Sequence, residues 1–254
     1  MIRGIAFDLF DTLVDQNHDR LSPLVVDGRR VGATTPALHT FATEQMGVSL
    51  SLIEFAELLE DVDRELRVDT IDQDIELASI DRFAALSTRL EYAEVLQSAE
   101  ALANIHMGIL HRAVTVPSHH EAVLASLAID YSLALCSNFS HAATARAILA
   151  EAGFDEHLGT IVISDEAGIR KPRREIFDQV IADFGFAPQE ILHVGDKLRA
   201  DVAGAAAAGM KTVWLTRCVR DPEKELERSS GPRPDFSIED LMDLPVLVAR
   251  LGNS

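Results

Sequence analysis

The first apolar run, Ile2 to Phe10, is short, β-prone and carries Gly4, which predicts a buried strand. It ends in Asp8-Leu9-Phe10-Asp11-Thr12-Leu13, so a carboxylate stands at the carboxyl end of that strand. From about Leu38 to Leu110 the period changes. The stretches FATEQMG, SLIEFAELLEDVDRELR, IDRFAALSTRLEYAEVL and SAEALANIHMGIL carry apolar residues at three- and four-residue spacing, which predicts amphipathic helices with no strand among them. After Val116-Pro117 strands and helices alternate. HHEAVLASLA, HAATARAILAEAG and RREIFDQVIADFG read as helices, the last two stopped by Gly153 and Gly185, and RADVAGAAAAGM as a helix of small residues. YSLALCSN, TIVI, EILHVGD and KTVWLT read as strands. DPEKELERSSGPRPD, charged and rich in Pro and Gly, reads as a surface loop, and FSIEDLMDLPVLVARL as a short strand and closing helix.

Strands alternating with helices imply right-handed crossovers and a parallel sheet. The expected architecture is α/β, a Rossmann-like doubly wound core from residues 1–15 and 113–254, with a helical insert over 16–112. At 254 residues and 47% apolar composition the chain can bury a sizeable core. The net charge of −18 repels phosphate backbones, so nucleic acid is not an expected partner. The acids are spread along the chain and read as a solvated surface. Two cysteines, Cys136 and Cys218, give no disulfide framework and no zinc motif. The amino terminus lacks a signal-peptide pattern and no apolar stretch is long enough to span a bilayer, so the expected setting is cytoplasmic, with no membrane partner.

Four short motifs fall at the ends of the expected strands: Asp8, Ser137-Asn138, Lys171-Pro172 and Gly195-Asp196. Singly, each has an ordinary structural reading as a turn, a helix cap or a solvated loop. In this order, at the carboxyl ends of parallel strands, they converge on one crevice, where open α/β sheets bind ligands.

The set resembles the haloacid dehalogenase-like hydrolase superfamily, which consists mostly of phosphatases. FDLFDTLVD is similar to its first motif, LCSNFS to its second, GIRKPRREIF to its third and HVGDKLRADVAGAAAAGM to its fourth, and the helical insert to its C1-type cap. The resemblance implies a hydrolase in which Asp8 is the nucleophile and a small phosphorylated metabolite the substrate. It implies Mg²⁺ held by the side chains of Asp8 and Asp196 and the main-chain carbonyl of Phe10. It places Ser137, Asn138 and Lys171 on the substrate, with Ser137 and Lys171 also serving the reaction. Chemistry agrees: a carboxylate can attack phosphorus or carbon covalently, a hard cation prefers oxygen ligands, and hydroxyl and ammonium groups stabilise a transferring oxyanion. Asp201, about one helical turn past Asp196, suits orienting a neighbour or water.

The chain departs from the phosphatase pattern at Phe10, where the family usually carries a second Asp as general acid and base, and at Asp11, where it usually has Gly. The ordinary role for Asp11 is to make the turn. General acid-base help is worth roughly 10²- to 10⁴-fold in rate, and Asp15, His18 and Asp19 are nearby groups able to carry a proton. The alternative is a metal-independent 2-haloacid dehalogenase-type hydrolase working through an ester on Asp8. That branch carries Tyr where Phe10 stands and shares Ser137-Asn138, but has Ser where Asp196 stands. Arg20, Arg29 and Arg30 are candidates for holding a departing halide. His119-His120 read as surface residues, His193 as a satisfied core histidine, and Trp214 as core packing. The glycines of AGAAAAGM read as permitting close helix-sheet contact and not as a dinucleotide fingerprint.

Overall fold

The computed structural model describes residues 1–252. The chain divides into two compact units, one built from 17–114 and one from 1–16 with 115 onward.

The first unit holds α1 (Thr35–Met46), α2 (Leu52–Asp69), α3 (Ser79–Arg89) and α4 (Val95–Arg112). The apolar stripes that predict these helices meet in one core, in which Leu38, Phe55, Phe83, Leu86 and Leu102 are fully buried. α2 begins in a reciprocal cap, Ser51 Oγ accepting from the Glu54 amide and Glu54 Oε2 from the Ser51 amide. Two expectations need correction. The periodic run 80–96 is not one helix: α3 stops at Arg89, Glu91 takes a left-handed conformation with φ of 56°, and α4 starts at Val95. The insert is also not purely helical. Leu24–Val26 and Arg29–Val31 form an antiparallel hairpin around Asp27-Gly28, whose positive φ angles of 49° and 79° are what a primed hairpin turn demands.

The second unit is a parallel sheet of β1 (Gly4–Phe7), β2 (Ser132–Ser137), β3 (Thr160–Ile163), β4 (Ile191–Gly195), β5 (Lys211–Leu215) and β6 (Phe236–Ile238), in spatial order β6-β5-β4-β1-β2-β3. The chain winds outward from β1 to β3, returns to the other edge of β1 as β4, and winds outward again. The strand order therefore reverses between β1 and β4, which is where a doubly wound sheet opens its crevice. β1 and β4 are buried at every residue, as near-continuous apolar strands of a covered sheet must be.

Helices α5 (His120–Leu127), α6 (Ala142–Glu151), α7 (Ser164–Ala167), α8 (Arg174–Phe184), α9 (Gly204–Ala208), α10 (Pro222–Arg228) and α11 (Leu244–Gly252) complete this unit. α10 lies inside the stretch expected to be a loop. Asp221 caps it by accepting from the Lys224 amide, and Pro222 takes the first turn, where no amide donor is needed. The small-residue helix also differs, because Leu198–Ala203 is wound as a π-helix before α9 begins. Its glycine serves an approach to α8 and the Lys171 loop more than to the sheet: a Cβ on Gly204 would lie 2.7 Å from the Phe177 ring and 2.9 Å from Cα of Pro172. Among the described residues no helix is long and apolar enough to cross a membrane.

Candidate active site

Asp8 follows β1 directly, and its amide donates to the Val194 carbonyl at 2.9 Å, so the ladder to β4 runs one residue beyond the strand. Phe7 lies opposite Leu135 on β2 and Val194 on β4. Asp8 is therefore level with Cys136 and Gly195, and Ser137 and Asp196 are the next residues at the same carboxyl edge. The pleat and register alone bring three of the sequence-predicted residues to the switch point.

Lys171 arrives from the loop between α7 and α8. It is 2% exposed, and a buried ammonium is tolerated only when paired. Its Nζ donates to Asp8 Oδ1 at 2.8 Å and to Asp201 Oδ1 at 2.6 Å. Asn138 sets the position of that loop: its Nδ2 donates to the Lys171 carbonyl at 2.9 Å, and its Oδ1 accepts from the Lys171 amide at 2.7 Å. Both ends of the Asn138 amide are thus engaged on Lys171 backbone. Asp201 is held from three sides. Oδ1 also accepts from His193 Nε2 at 3.1 Å, and Oδ2 accepts from the Lys197 amide at 2.9 Å. The π-helix turns Asp201 back toward the strand end, and Gly195 leaves room for it. π-type turns of this kind recur at functional sites.

The electrostatics follow from burial and from this network. Burial pushes the Asp8 carboxyl above its ordinary value; Lys171 opposes the rise and the Asp201 carboxylate adds to it. Burial works against Asp201 as well, but Lys171 and the His193 hydrogen bond outweigh it and hold this carboxyl below its ordinary value. Burial also pushes Lys171 toward losing its proton, and Asp201 and Asp8 reverse that, so the ammonium stays charged. Asp196 is pushed up to about 7 by burial and by Asp8, against the opposing effect of Lys197.

Asp8, Asp196 and Asp201 each offer a carboxylate oxygen, and these oxygens lie within 4.8 Å of one another. Asp196 Oδ1 is buried with no hydrogen-bond partner among the described residues. Hard oxygen donors, crowded negative charge and an orphaned carboxylate oxygen together fit a hard divalent cation. Asp201 is already saturated by three donors, so Asp8 and Asp196 are the carboxylates open to an ion. Ser137 Oγ is likewise buried without a partner among the described residues, a hydroxyl held ready at the strand end.

The loop after Asp8 explains the unusual residues of the first motif. Leu13 and Val14 amides both donate to the Leu9 carbonyl, and the Asp11 amide donates to the Val14 carbonyl. Asp11 takes the turn at φ of 57°, a left-handed conformation that Gly prefers and Asp tolerates. Its Oδ1 accepts from the Gln16 amide at 3.3 Å, and its Oδ2 lies 3.8 Å from Lys197 Nζ. Phe10 stacks its ring 4.7 Å from that of Phe139, so apolar surface stands where an acid is usual. Asp15 is bound by both terminal nitrogens of Arg217. Burial notwithstanding, that pairing keeps its carboxyl below its ordinary value, which makes it a poor proton donor. Arg29 is paired with Glu57 and Glu60, and Arg20 donates to the Arg112 carbonyl at 3.0 Å. The side chain of His18 lies outside the described residues.

Two members of the network are not among the sequence candidates. His193, expected to be an ordinary core histidine, is the partner of Asp201, and its Nδ1 has no partner among the described residues. A polar ring in an otherwise apolar strand was the available signal. Lys197 bridges Asp196 and Asp11; a cation directly after a buried acid was the signal there. Trp214 does more than pack, because its indole N–H donates to the Asp196 carbonyl at 2.8 Å.

A doubly wound sheet gathers a carboxylate, an ammonium and a second acidic strand end at its switch point, and this cluster is the candidate site. The model of the haloacid dehalogenase-like hydrolase family matches residues 2–209, and the chain belongs to that family. Among curated proteins, it is similar to phosphoserine phosphatase of Thermus thermophilus, 36% identical over 96 residues, which are 38% of this chain and 36% of that protein. It is also similar to glyceraldehyde 3-phosphate phosphatase of Pyrococcus furiosus, 42% identical over 100 residues, which are 39% of this chain and 40% of that protein. The matched stretches thus cover well under half of these relatives. Among solved structures, a 2-haloacid dehalogenase from Pseudomonas syringae pv. Tomato DC3000 shares the fold with a TM-score of 0.75 at 21% identity, over 99% of this chain and 100% of that one.

Proposed function

We propose that this chain is a Mg²⁺-dependent phosphatase of a small phosphorylated metabolite, with Asp8 as nucleophile. The observation that carries the reading is the buried ion cluster: Lys171 between Asp8 and Asp201, with Asp196 and its orphaned Oδ1 beside them. The phosphatase relatives support it. Two free cysteines, one of them buried, suit the reducing cytoplasm.

The side chains of Asp8 and Asp196 and the Phe10 carbonyl would hold Mg²⁺, which supplies positive charge between an anionic nucleophile and an anionic phosphoryl group. The chain's own groups do the rest. An Asp8 carboxylate oxygen forms a bond to phosphorus while the ester oxygen departs with its electron pair. The departed oxygen takes a proton from solvent. Water then attacks phosphorus and returns one proton to solvent, the Asp8–phosphorus bond breaks with its electron pair going back to the Asp8 carboxylate, and inorganic phosphate leaves. Lys171 fixes Asp8 Oδ1 and offers charge to the transferring group. Ser137 Oγ donates to a phosphoryl oxygen. Asn138 positions Lys171 through its backbone, and Asp201, itself oriented by His193, keeps the ammonium charged and aimed. Phe10 offers no proton to the departing oxygen, so esters with stable leaving groups are favoured.

A second reading, ester formation on Asp8 from a 2-haloacid, draws on one observation: the residue two past Asp8 is the apolar Phe10, packed against Phe139. A panel of small phosphate esters, including phosphoserine and glyceraldehyde 3-phosphate, assayed beside 2-chloropropionate with Mg²⁺ or EDTA, separates the two. Phosphate release that needs Mg²⁺ and is lost in Asp8→Asn is the expected result. EDTA-insensitive chloride release without phosphate release would overturn the phosphatase reading.

A further inference from the structure

A second cluster of metal-ligating side chains lies in the α/β unit and shares no residue with the Asp8 site. His119, His120 and Asp240 each offer one ligand atom, and these atoms lie within 4.8 Å of one another. The sequence reading of the two histidines as surface residues fails for His120, which is fully buried. His119 stands at the cap position of α5, outside the regular helix, so the two rings do not diverge as neighbours within a helix would. They meet edge to face with centroids 4.6 Å apart.

The hydrogen bonds fix which nitrogen of His120 is available. Its Nδ1 lies 2.8 Å from the Leu13 carbonyl, and a carbonyl only accepts, so Nδ1 carries the hydrogen. Nε2 is then a bare lone pair in the neutral ring, and burial favours that neutral form by lowering the ring's pKa. Nε2 is buried and has no hydrogen-bond partner among the described residues. A buried acceptor without a donor is costly. An imidazole whose Nδ1–H is tied to a backbone carbonyl is the arrangement that orients histidine toward a metal.

The other two donors are pre-positioned and reachable. His119 Nε2 is 2.7 Å from Asp240 Oδ1, with side chains 36% and 26% exposed. The Asp240 carboxylate is held by the Met242 amide, which donates to Oδ1 at 2.9 Å. Arg217, whose charge is felt at both His120 and Asp240, is paired with Asp15.

We propose that His119, His120 and Asp240 form a binding site for a borderline transition-metal cation of the Zn²⁺ or Co²⁺ class. Two imidazole nitrogens and one carboxylate oxygen suit such ions and not Mg²⁺, which takes oxygen ligands. The exposed side of His119 and Asp240 leaves a further position for water. On binding, the proton that His119 Nε2 shares with Asp240 moves to Nδ1 or to solvent, and the metal takes its place. Because His120 is bonded to Leu13, the ion also ties the start of α5 to the loop that carries the first motif.

The test uses the full chain, stripped by chelator and titrated with Co²⁺ in excess Mg²⁺, which competes for the acidic site. The expected result is visible Co²⁺ absorption saturating at one equivalent and bleached by Zn²⁺. His119→Ala and Asp240→Asn, at partly exposed positions, should each weaken binding by about tenfold or more, with unchanged far-ultraviolet circular dichroism. Asp8→Asn should leave the absorption intact. No absorption, absorption that survives both His119→Ala and Asp240→Asn, or absorption abolished by Asp8→Asn would overturn the site.

Discussion

A Cβ placed on Gly195 would stand 2.3 Å from Cγ of Asp201 and 2.5 Å from its Oδ2. The absence of a side chain at the end of β4 is therefore what lets Asp201 fold back under the strand tip and reach Lys171. Gly195→Ala should cost about 1–3 kcal/mol of stability through overpacking. It should also lower activity out of proportion, because Asp201 can no longer hold the ammonium. Urea unfolding together with kcat on the best phosphate ester measures both. A variant as active as wild type would show that the Asp201 contact is dispensable.

Removing the central cation is the harsher change. Lys171→Met leaves Asp8 and Asp201 buried without a counter-charge, and breaking a buried pair costs on the order of 3–5 kcal/mol. Lys171→Arg should not rescue activity, since a planar fork cannot replace a compact ammonium enclosed by two carboxylates. Chemical denaturation and kcat of the two variants check this.

Asp196 gives the metal-free protein a specific pH dependence. Its folded-state value of about 7 lies above the ordinary 3.8, so the folded state keeps a proton that the unfolded chain has released. The contribution is fully present below about pH 4 and is lost as pH rises toward 7, by up to about 4 kcal/mol. Asp8 acts in the same direction. Without metal the melting temperature should fall between about pH 4 and 7, and Asp196→Asn should flatten that decline. Mg²⁺ at pH 8 should restore stability to wild type more than to Asp196→Asn. Melting curves across pH, with and without Mg²⁺, would expose the opposite trend.

Phe10→Asp supplies a carboxyl where the Phe139-facing ring now stands. If the missing proton donor limits the reaction, turnover of alkyl phosphates should rise, by up to roughly 10²- to 10⁴-fold for a fully effective acid. Turnover of p-nitrophenyl phosphate, whose leaving group needs no proton, should change little. A uniform fall across both substrate types would mean that the ring shapes the site and that the acid comes from elsewhere.

The sheet and the positions of Asp8, Ser137 and Asp196 were legible in the sequence because strand ends in a parallel sheet are fixed by period and topology. Local chemistry hid other features. The Asp27-Gly28 hairpin and the α10 cap at Asp221-Pro222 carried their own turn and capping signals, but the hairpin strands are only three residues each and α10 sits in a charged stretch that looks like a loop. Glu91 breaks a helix whose apolar period continues through it, which no periodicity count detects. The roles of Asn138 and His193 depend on partners 33 and 8 residues away. They emerge only when the Lys171 loop and the π-wound turn fold back onto the strand ends.

The central claim is that Asp8 carries the phosphoryl group. It is tested most directly by rapid acid quench of the enzyme turning over a radiolabelled phosphate ester with Mg²⁺, followed by peptide mapping. Label on the peptide bearing Asp8, absent in Asp8→Asn, is the predicted result. Turnover that leaves Asp8 unlabelled, or label on another residue, would contradict it.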